Sequence, residues 1–81
     1  METRIAVIAI VVEDNGCTAE LNALLHEYGQ HIIGRMGIPY RQKNISLISV
    51  MIDAPAEVIS ALTGKLGNIS GLTVKTAYSK A

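Results

Sequence analysis

Eight consecutive apolar residues near the start of the chain, from Ile5 to Val12, constrain the fold more than any other feature. Most of them are β-branched, and the polar segment 13–16 ends the run, so the pattern predicts a β-strand over Arg4–Val12. Because both alternating sets of side chains are apolar, this strand belongs in the centre of a sheet that is covered on both faces. The helices of the chain supply one cover, and a partner is a candidate for the other.

The first helix is predicted over residues 18–28. Thr18 is a suitable N-cap, and the helix dipole favours an acidic residue such as Glu20 in the first turn. Apolar side chains recur at helical spacing and form one stripe, which consists of Leu21, Leu24, Leu25 and Tyr28. Gly29 then provides the C-terminal stop.

The second helix is predicted to start after Asp53-Ala54-Pro55, which combines an acidic N-cap candidate with a proline in the first turn. Gly67 ends this helix, and a glycine in its interior weakens it by roughly 1 kcal/mol relative to alanine. Its stripe of apolar residues consists of Val58, Ile59, Leu62 and Leu66.

Three further strands are predicted, the first two of them as a hairpin. Residues 31–38 form its first strand, and Pro39 suits an edge strand or a strand end. The polar turn 41–44 leads into the alternating segment 45–52, which is the better buried strand. Leu72–Tyr78 alternates as well and forms the last strand.

The order β-α-β-β-α-β predicts a ferredoxin-like α+β fold in a single domain over residues 1–81. Two crossovers of the βαβ type produce a four-stranded antiparallel sheet with both helices on one face. The first and third strands are the most apolar, which agrees with central positions in that sheet.

The face of the sheet without helices predicts self-association. A chain of 81 residues buries a limited part of its surface, and 49% of these residues are hydrophobic. An exposed apolar sheet therefore indicates a homo-oligomer, either a dimer or a tetramer, that forms through the sheet. The alternative is a monomer whose partly exposed face is softened by Ser46, Ser49, Thr73 and Lys75.

Composition argues against several classes of function. The 7 basic and 7 acidic residues give zero net charge, and 4% of the residues are aromatic, whereas nucleic-acid binders need positive charge and stacking surfaces. The apolar run at the start is shorter than the roughly 20 residues that a membrane helix requires. The single cysteine cannot form an internal disulfide. We therefore expect a cytoplasmic protein that does not bind nucleic acid directly or enter a membrane.

Two glycine-containing segments are candidates for ligand binding. Residues 14–16 precede the first helix, where backbone N–H groups can bind an anionic small molecule. Within residues 34–37, glycine permits the close approach of a ligand or a partner strand, and an arginine is available for an anion. A simple β-bulge explains the second segment equally well. The candidate residues are Asp14, Asn15, Gly16, Gly34, Arg35 and Gly37.

No set of residues recommends catalysis or a bound cofactor, so we expect a protein that is not an enzyme. His26 and His31 are weak metal-ligand candidates, because no nearby residues complete a set of four ligands. A metal shared across a dimer interface stays open as an alternative. Cys17 lies at a helix start, where thiols are activated, but a structural role is favoured for it.

Five segments together resemble a family of suspected regulators of the iron-only hydrogenase system of anaerobic bacteria. They are residues 26–29 (HEYG), 32–40 (IIGRMGIPY), 53–55 (DAP), 59–66 (ISALTGKL) and 74–78 (VKTAY). The likeness extends from about Arg4 to Lys80.

This resemblance implies an ACT-like regulatory domain, similar also to the ligand-binding domain of the nickel-responsive repressor. Such domains associate through their sheets and bind small effectors near a glycine-containing turn after the first strand, which is segment 13–17 here. The leading interpretation is a ligand-sensing regulator that acts through oligomerisation or through a protein partner. The alternatives are an assembly protein for hydrogenase maturation and a small metal-binding protein.

Overall fold

The strands and helices of the protein follow the predicted order in a computed structural model that describes residues 2–80. The strands are β1 (Arg4–Val12), β2 (Ile32–Tyr40), β3 (Ile45–Ala54) and β4 (Leu72–Tyr78), and the helices are α1 (Thr18–Glu27) and α2 (Ala56–Gly67). Short 3₁₀ turns precede α1, follow it, and connect β2 to β3. The predicted domain covers residues 1–81, of which positions 1 and 81 lie outside the described residues.

The four strands form one antiparallel sheet in the order β2-β3-β1-β4. β1 pairs with β3 from Arg4 opposite Ala54 to Val12 opposite Ser46, and it pairs with β4 along its other side. The hairpin between β2 and β3 turns through Asn44, whose φ of 57° is left-handed, a conformation that asparagine tolerates better than most residues. The predicted ferredoxin-like α+β fold, with the first and third strands central, is confirmed.

The core lies between the helices and one face of the sheet. The alternate residues of β1 from Ala6 to Val12 and of β3 from Val50 to Ala54 are at most 1% exposed, and both helical stripes pack against them. The most deeply buried side chains are Ile8, Ile10, Val12, Val50, Ile52, Leu21, Leu25, Ile59, Leu62 and Leu66. Burying a leucine or isoleucine side chain stabilises the folded state by roughly 1.5–3 kcal/mol. The apolar layer therefore supplies most of the stability of the fold.

The N-terminus of α1 is not capped by Thr18, so that prediction was wrong. A 3₁₀ turn, Asn15–Cys17, runs directly into the helix and places Cys17 at the N-cap position without a side-chain cap. The Thr18 hydroxyl instead donates to the backbone oxygen of Asn15 at 2.9 Å. Asp14 caps the preceding turn, since its Oδ1 accepts a hydrogen bond from the Gly16 N–H at 2.9 Å.

The predicted cap of α2 was wrong for a similar reason. Asp53 is an exposed residue of β3 that pairs with Ile5, because the strand continues to Ala54 instead of ending at residue 52. Pro55 occupies the N-cap position, again without a side-chain hydrogen bond. Its carbonyl oxygen accepts hydrogen bonds from the N–H groups of Val58 and Ile59.

The two helices are joined at the surface by a charged contact. Lys65 Nζ lies 3.4 Å from Glu27 Oε2 and 5.2 Å from the centre of the Tyr28 ring. The pKa of Lys65 is raised from its ordinary value, first by its interaction with Tyr28 and then by the negative charge of Glu27. Solvent screens an exposed pair of this kind, so it contributes little to the stability of the fold.

Gly71, at the entrance to β4, has a backbone conformation that requires glycine. Its φ is +92°, and a Cβ built on it would lie 2.7 Å from the Cβ of Asp14. Its carbonyl oxygen accepts a 2.7 Å hydrogen bond from the Glu13 N–H. The start of β4 is therefore held closely against the segment that follows β1.

We expect Gly71→Ala to lower the free energy of unfolding by at least about 1 kcal/mol, since alanine disfavours this φ and collides with Asp14. Gly64→Ala is the matched control, because nothing lies within 4 Å of its added Cβ in the middle of α2. The control should raise the unfolding free energy by about 0.5–1 kcal/mol. Urea unfolding monitored by circular dichroism measures both, and equal effects of the two substitutions would contradict the assignment.

Candidate functional site

One face of the sheet is covered by neither helix, and we call it the open face. It carries the outward-facing residues of all four strands, and six of its large apolar side chains are 40–58% exposed. These side chains are Ile5, Val7, Met36, Ile38, Tyr40 and Leu47. An apolar surface of this extent is unusual on a monomeric protein and is typical of an interaction site.

A shallow depression of about 220 Å³ lies on the open face. Its outward-facing lining includes Ala9, Val11, Met36, Ile38 and Leu47, which are apolar. Small-molecule sites usually enclose about 300–1,000 Å³ and include a few polar groups. The depression therefore suits an apolar side chain of a partner better than it suits a free ligand.

A second concavity, the α1–β2 groove, lies on the opposite side of the sheet and has a volume of about 480 Å³. The Arg35 guanidinium reaches α1 from β2 and donates a hydrogen bond to Asn22 Oδ1 at 3.0 Å. The other lining residues are Leu25, His26, Gly29 and Ile32. This groove combines polar and apolar groups at a size that fits a small molecule.

Several polar groups of the turn after β1 form hydrogen bonds within the turn itself. The Gly16 N–H donates to the Asp14 carboxylate, and the Cys17 N–H donates to the Asp14 carbonyl oxygen at 3.2 Å. Asn15 Nδ2 donates to Asn44 Oδ1 at 3.5 Å. An anion at this turn would have to displace the Asp14 carboxylate from Gly16. Ligand binding by Asp14, Asn15 and Gly16 stays a prediction.

The two predicted ligand-binding segments do not come together. Gly34 is level with Met51 and Gly37 with Ile48, so β3 lies between this part of β2 and the turn after β1. The register of β2 against β3 shifts between Ile32 and Gly34, which is a β-bulge or a similar irregularity just before this segment. A Cβ on Gly34 or Gly37 would make ordinary contacts, at 3.9 and 3.7 Å. Arg35 is therefore the member of this segment with a functional group presented to a concavity.

The histidines and the cysteine are separated in the structure. His26 lines the α1–β2 groove, whereas the Nε2 atom of His31 lies 3.3 Å from Nε2 of Gln30. Among residues 2–80, no three His, Cys, Asp or Glu side chains are grouped as metal ligands. Cys17 is buried in the core, and its Sγ donates to the Asp14 carbonyl oxygen at 3.0 Å.

Sequence reasoning missed the α1–β2 groove as a unit. Asn22 and His26 follow the spacing i, i+4, so they form a polar pair beside the apolar stripe of α1, and Gly29 follows in the turn after the helix. That pair was a detectable signal. Its meeting with Arg35 depends on how the edge strand β2 lies against the helix.

A family profile places the chain among known proteins. The profile of the TM1266-like family, described as "Iron-only hydrogenase system regulator, putative", matches residues 4–76. The chain belongs to this family. The resemblance drawn from the five sequence segments is therefore confirmed.

Solved structures of similar proteins agree with this assignment. The uncharacterized protein TM1266 from Thermotoga maritima is 38% identical with a TM-score of 0.93, and the match covers 98% of this chain and 100% of that chain. No curated protein sequence matches the chain. Among residues 2–80, neither helix has the length and apolar character needed to span a membrane.

Two more distant structures share the fold. The ACT domain of the GTP pyrophosphokinase from Chlorobium tepidum is 22% identical with a TM-score of 0.72, and the match covers 100% of this chain and 91% of that chain. A nitrogen regulatory PII-like protein from Thiomonas intermedia, solved with ADP, AMP and bicarbonate, is 14% identical with a TM-score of 0.53. That match covers 98% of this chain and 99% of that chain. These likenesses show an ACT-like fold.

Because Cys17 is buried, we predict that its thiol reacts slowly with reagents in solution. We expect its reaction with a disulfide reagent to be at least about a hundredfold slower in the native chain than in urea, because the reagent must wait for local or global opening. A Thr18→Cys variant provides the control. Residue 18 is exposed, so this substitution should add one thiol that reacts rapidly. Rapid reaction of the native Cys17 would overturn the structural role and favour redox chemistry.

Proposed function

We propose that this chain is a cytoplasmic, non-catalytic regulatory module of an iron-only hydrogenase system. It senses a small ligand and acts by self-association through its open face. The observation that carries the proposal is the apolar open face, on which Val7 and Leu47 are 40% and 42% exposed at the two central strands. The family description as a regulator supports a non-catalytic role.

The size of the open face supports a second copy of the chain as its occupant. The strands of a sheet lie about 4.8 Å apart, and each residue extends a strand by about 3.3 Å. A sheet of four strands, with nine residues in β1, therefore has a face of roughly 600 Å². Two such faces in contact bury about 1,200 Å², which exceeds the roughly 1,000 Å² expected of a biological interface. A face-to-face dimer, or a tetramer built from it, would cover the exposed apolar side chains.

The charge of the chain favours protein contacts over nucleic-acid contacts. With zero net charge, two copies approach without net repulsion, and neither brings the positive charge that phosphate binding requires. An effect on transcription would therefore require a partner protein. The open face or an edge of the sheet provides a surface for such a partner.

The ligand-sensing part of the proposal is supported by the fold and by two surface regions. One structure that shares the fold is the ACT domain of a GTP pyrophosphokinase. Another is the PII-like protein, which was solved with the nucleotides ADP and AMP bound. In this chain, the proposed ligand-contacting residues are Asp14, Asn15 and Gly16 in the turn after β1, and Gly34, Arg35 and Gly37 on β2.

The proposal predicts that Val7→Lys weakens self-association at least about tenfold, because it buries an unpaired charge in the centre of the interface. Ala61→Lys adds the same charge to an exposed position on α2, on the helical side, and should leave self-association unchanged. Sedimentation equilibrium measures both, and circular dichroism verifies that each variant is folded. A wild-type chain that stays monomeric at high micromolar concentration, or equal association of wild type and Val7→Lys, would contradict the proposal.

A further inference from the structure

Arg35 is a positioned cation whose charge is not neutralised by a neighbouring carboxylate. Among residues 2–80, the ion pair that the structure shows joins Lys65 and Glu27 and does not include Arg35. The Asn22 amide oxygen, which is neutral, holds one terminal nitrogen of Arg35 at 3.0 Å. Arg35 is an exposed residue, and a guanidinium carries five N–H donors whose fork matches the two oxygens of one carboxylate.

The rest of the α1–β2 groove favours a ligand with an aliphatic body. Ile32, which is partly buried, contributes aliphatic surface to the lining, whereas Leu25 also lines the groove but belongs to the core and is 1% exposed. Asn22 and His26 add hydrogen-bonding groups from successive turns of α1. At Gly29, which also lines the groove, an added Cβ would meet nothing within 4 Å, so the space beside this residue is open.

The charge in the groove matches a monoanion. Arg35 is the one lining residue that is always positively charged, and a phosphate monoester carries about −1.5 to −2 charges at neutral pH. A carboxylate carries a single negative charge and forms a planar, bidentate pair with a guanidinium. We propose that the α1–β2 groove binds a small monocarboxylate with a short aliphatic chain, with Arg35 contacting the carboxylate and Asn22 positioning Arg35.

This inference rests on the proposed function in one respect, because it identifies the class of ligand that the regulator senses. It also provides a physical link to the open face. Along β2, Arg35 points to the groove, while Met36 and Ile38 point to the open face. β2 is an edge strand that pairs with β3 alone. A ligand that fixes Arg35 therefore fixes the same strand that contributes to the proposed dimer interface.

Titration of the full-length ¹⁵N-labelled chain with butyrate tests the site, with butanol and inorganic phosphate as comparison ligands. We expect butyrate to shift the resonances of the Arg35 side chain, the Asn22 amide and Gly29, and to bind more tightly than either comparison ligand. Arg35→Gln should weaken butyrate binding about tenfold or more, since one charge-assisted bidentate contact is lost. Arg41→Gln is the matched control, because Arg41 is an exposed arginine of the turn between β2 and β3 and is not part of the groove lining.

The outcomes separate this inference from the proposed function. Tighter binding of phosphate than butyrate, absence of shifts in the groove, or equal weakening by Arg35→Gln and Arg41→Gln would each overturn the monocarboxylate site. Repeating the titration with the Val7→Lys variant tests the groove under weakened self-association, and butyrate shifts at Arg35 in that variant support the site on its own. If wild type self-associates but butyrate does not bind at Arg35, the inference fails and the proposed function stands.

Discussion

The whole structure depends on a single strand that is apolar on both faces. The even-numbered residues of β1 from Ala6 to Val12 lie under the helices and are at most 1% exposed. On the open face, the odd-numbered Ile5 and Val7 are 50% and 40% exposed. Because β1 pairs with both β3 and β4 at the centre of the sheet, this strand of nine residues contributes both to the core and to the apolar open face.

The two faces of the sheet carry different kinds of surface. The open face is broad and apolar, whereas the α1–β2 groove on the helical side is smaller and contains a positioned arginine. β2 contributes to both, since its side chains alternate between the two sides of the sheet. In the proposed regulator, β2 is therefore the strand that connects the ligand groove to the open face.

The sequence predicted the elements and the fold because these depend on periodicity. The stripes of α1 and α2 and the β-branched strands were placed correctly. For residues 34–37 the sequence left a β-bulge and a binding role open, and the register shift lies just before them, between Ile32 and Gly34. The predicted caps at Thr18 and Asp53 were wrong, because a cap depends on which carboxylate or hydroxyl reaches a free N–H. Asp14 took that role before α1, and strand pairing with Ile5 held Asp53 in β3.

The sequence by itself determined the layers of this protein, since apolar residues at spacings of two and of three to four residues can be buried in one way only. It also determined that one apolar face would be left uncovered. Tertiary structure alone decided where the polar groups meet: Asn22 binds Arg35 across 13 positions of the chain, and Asp14 packs against Gly71. Such contacts depend on how the edge strand and the turns lie against their neighbours, and no local pattern encodes those distances.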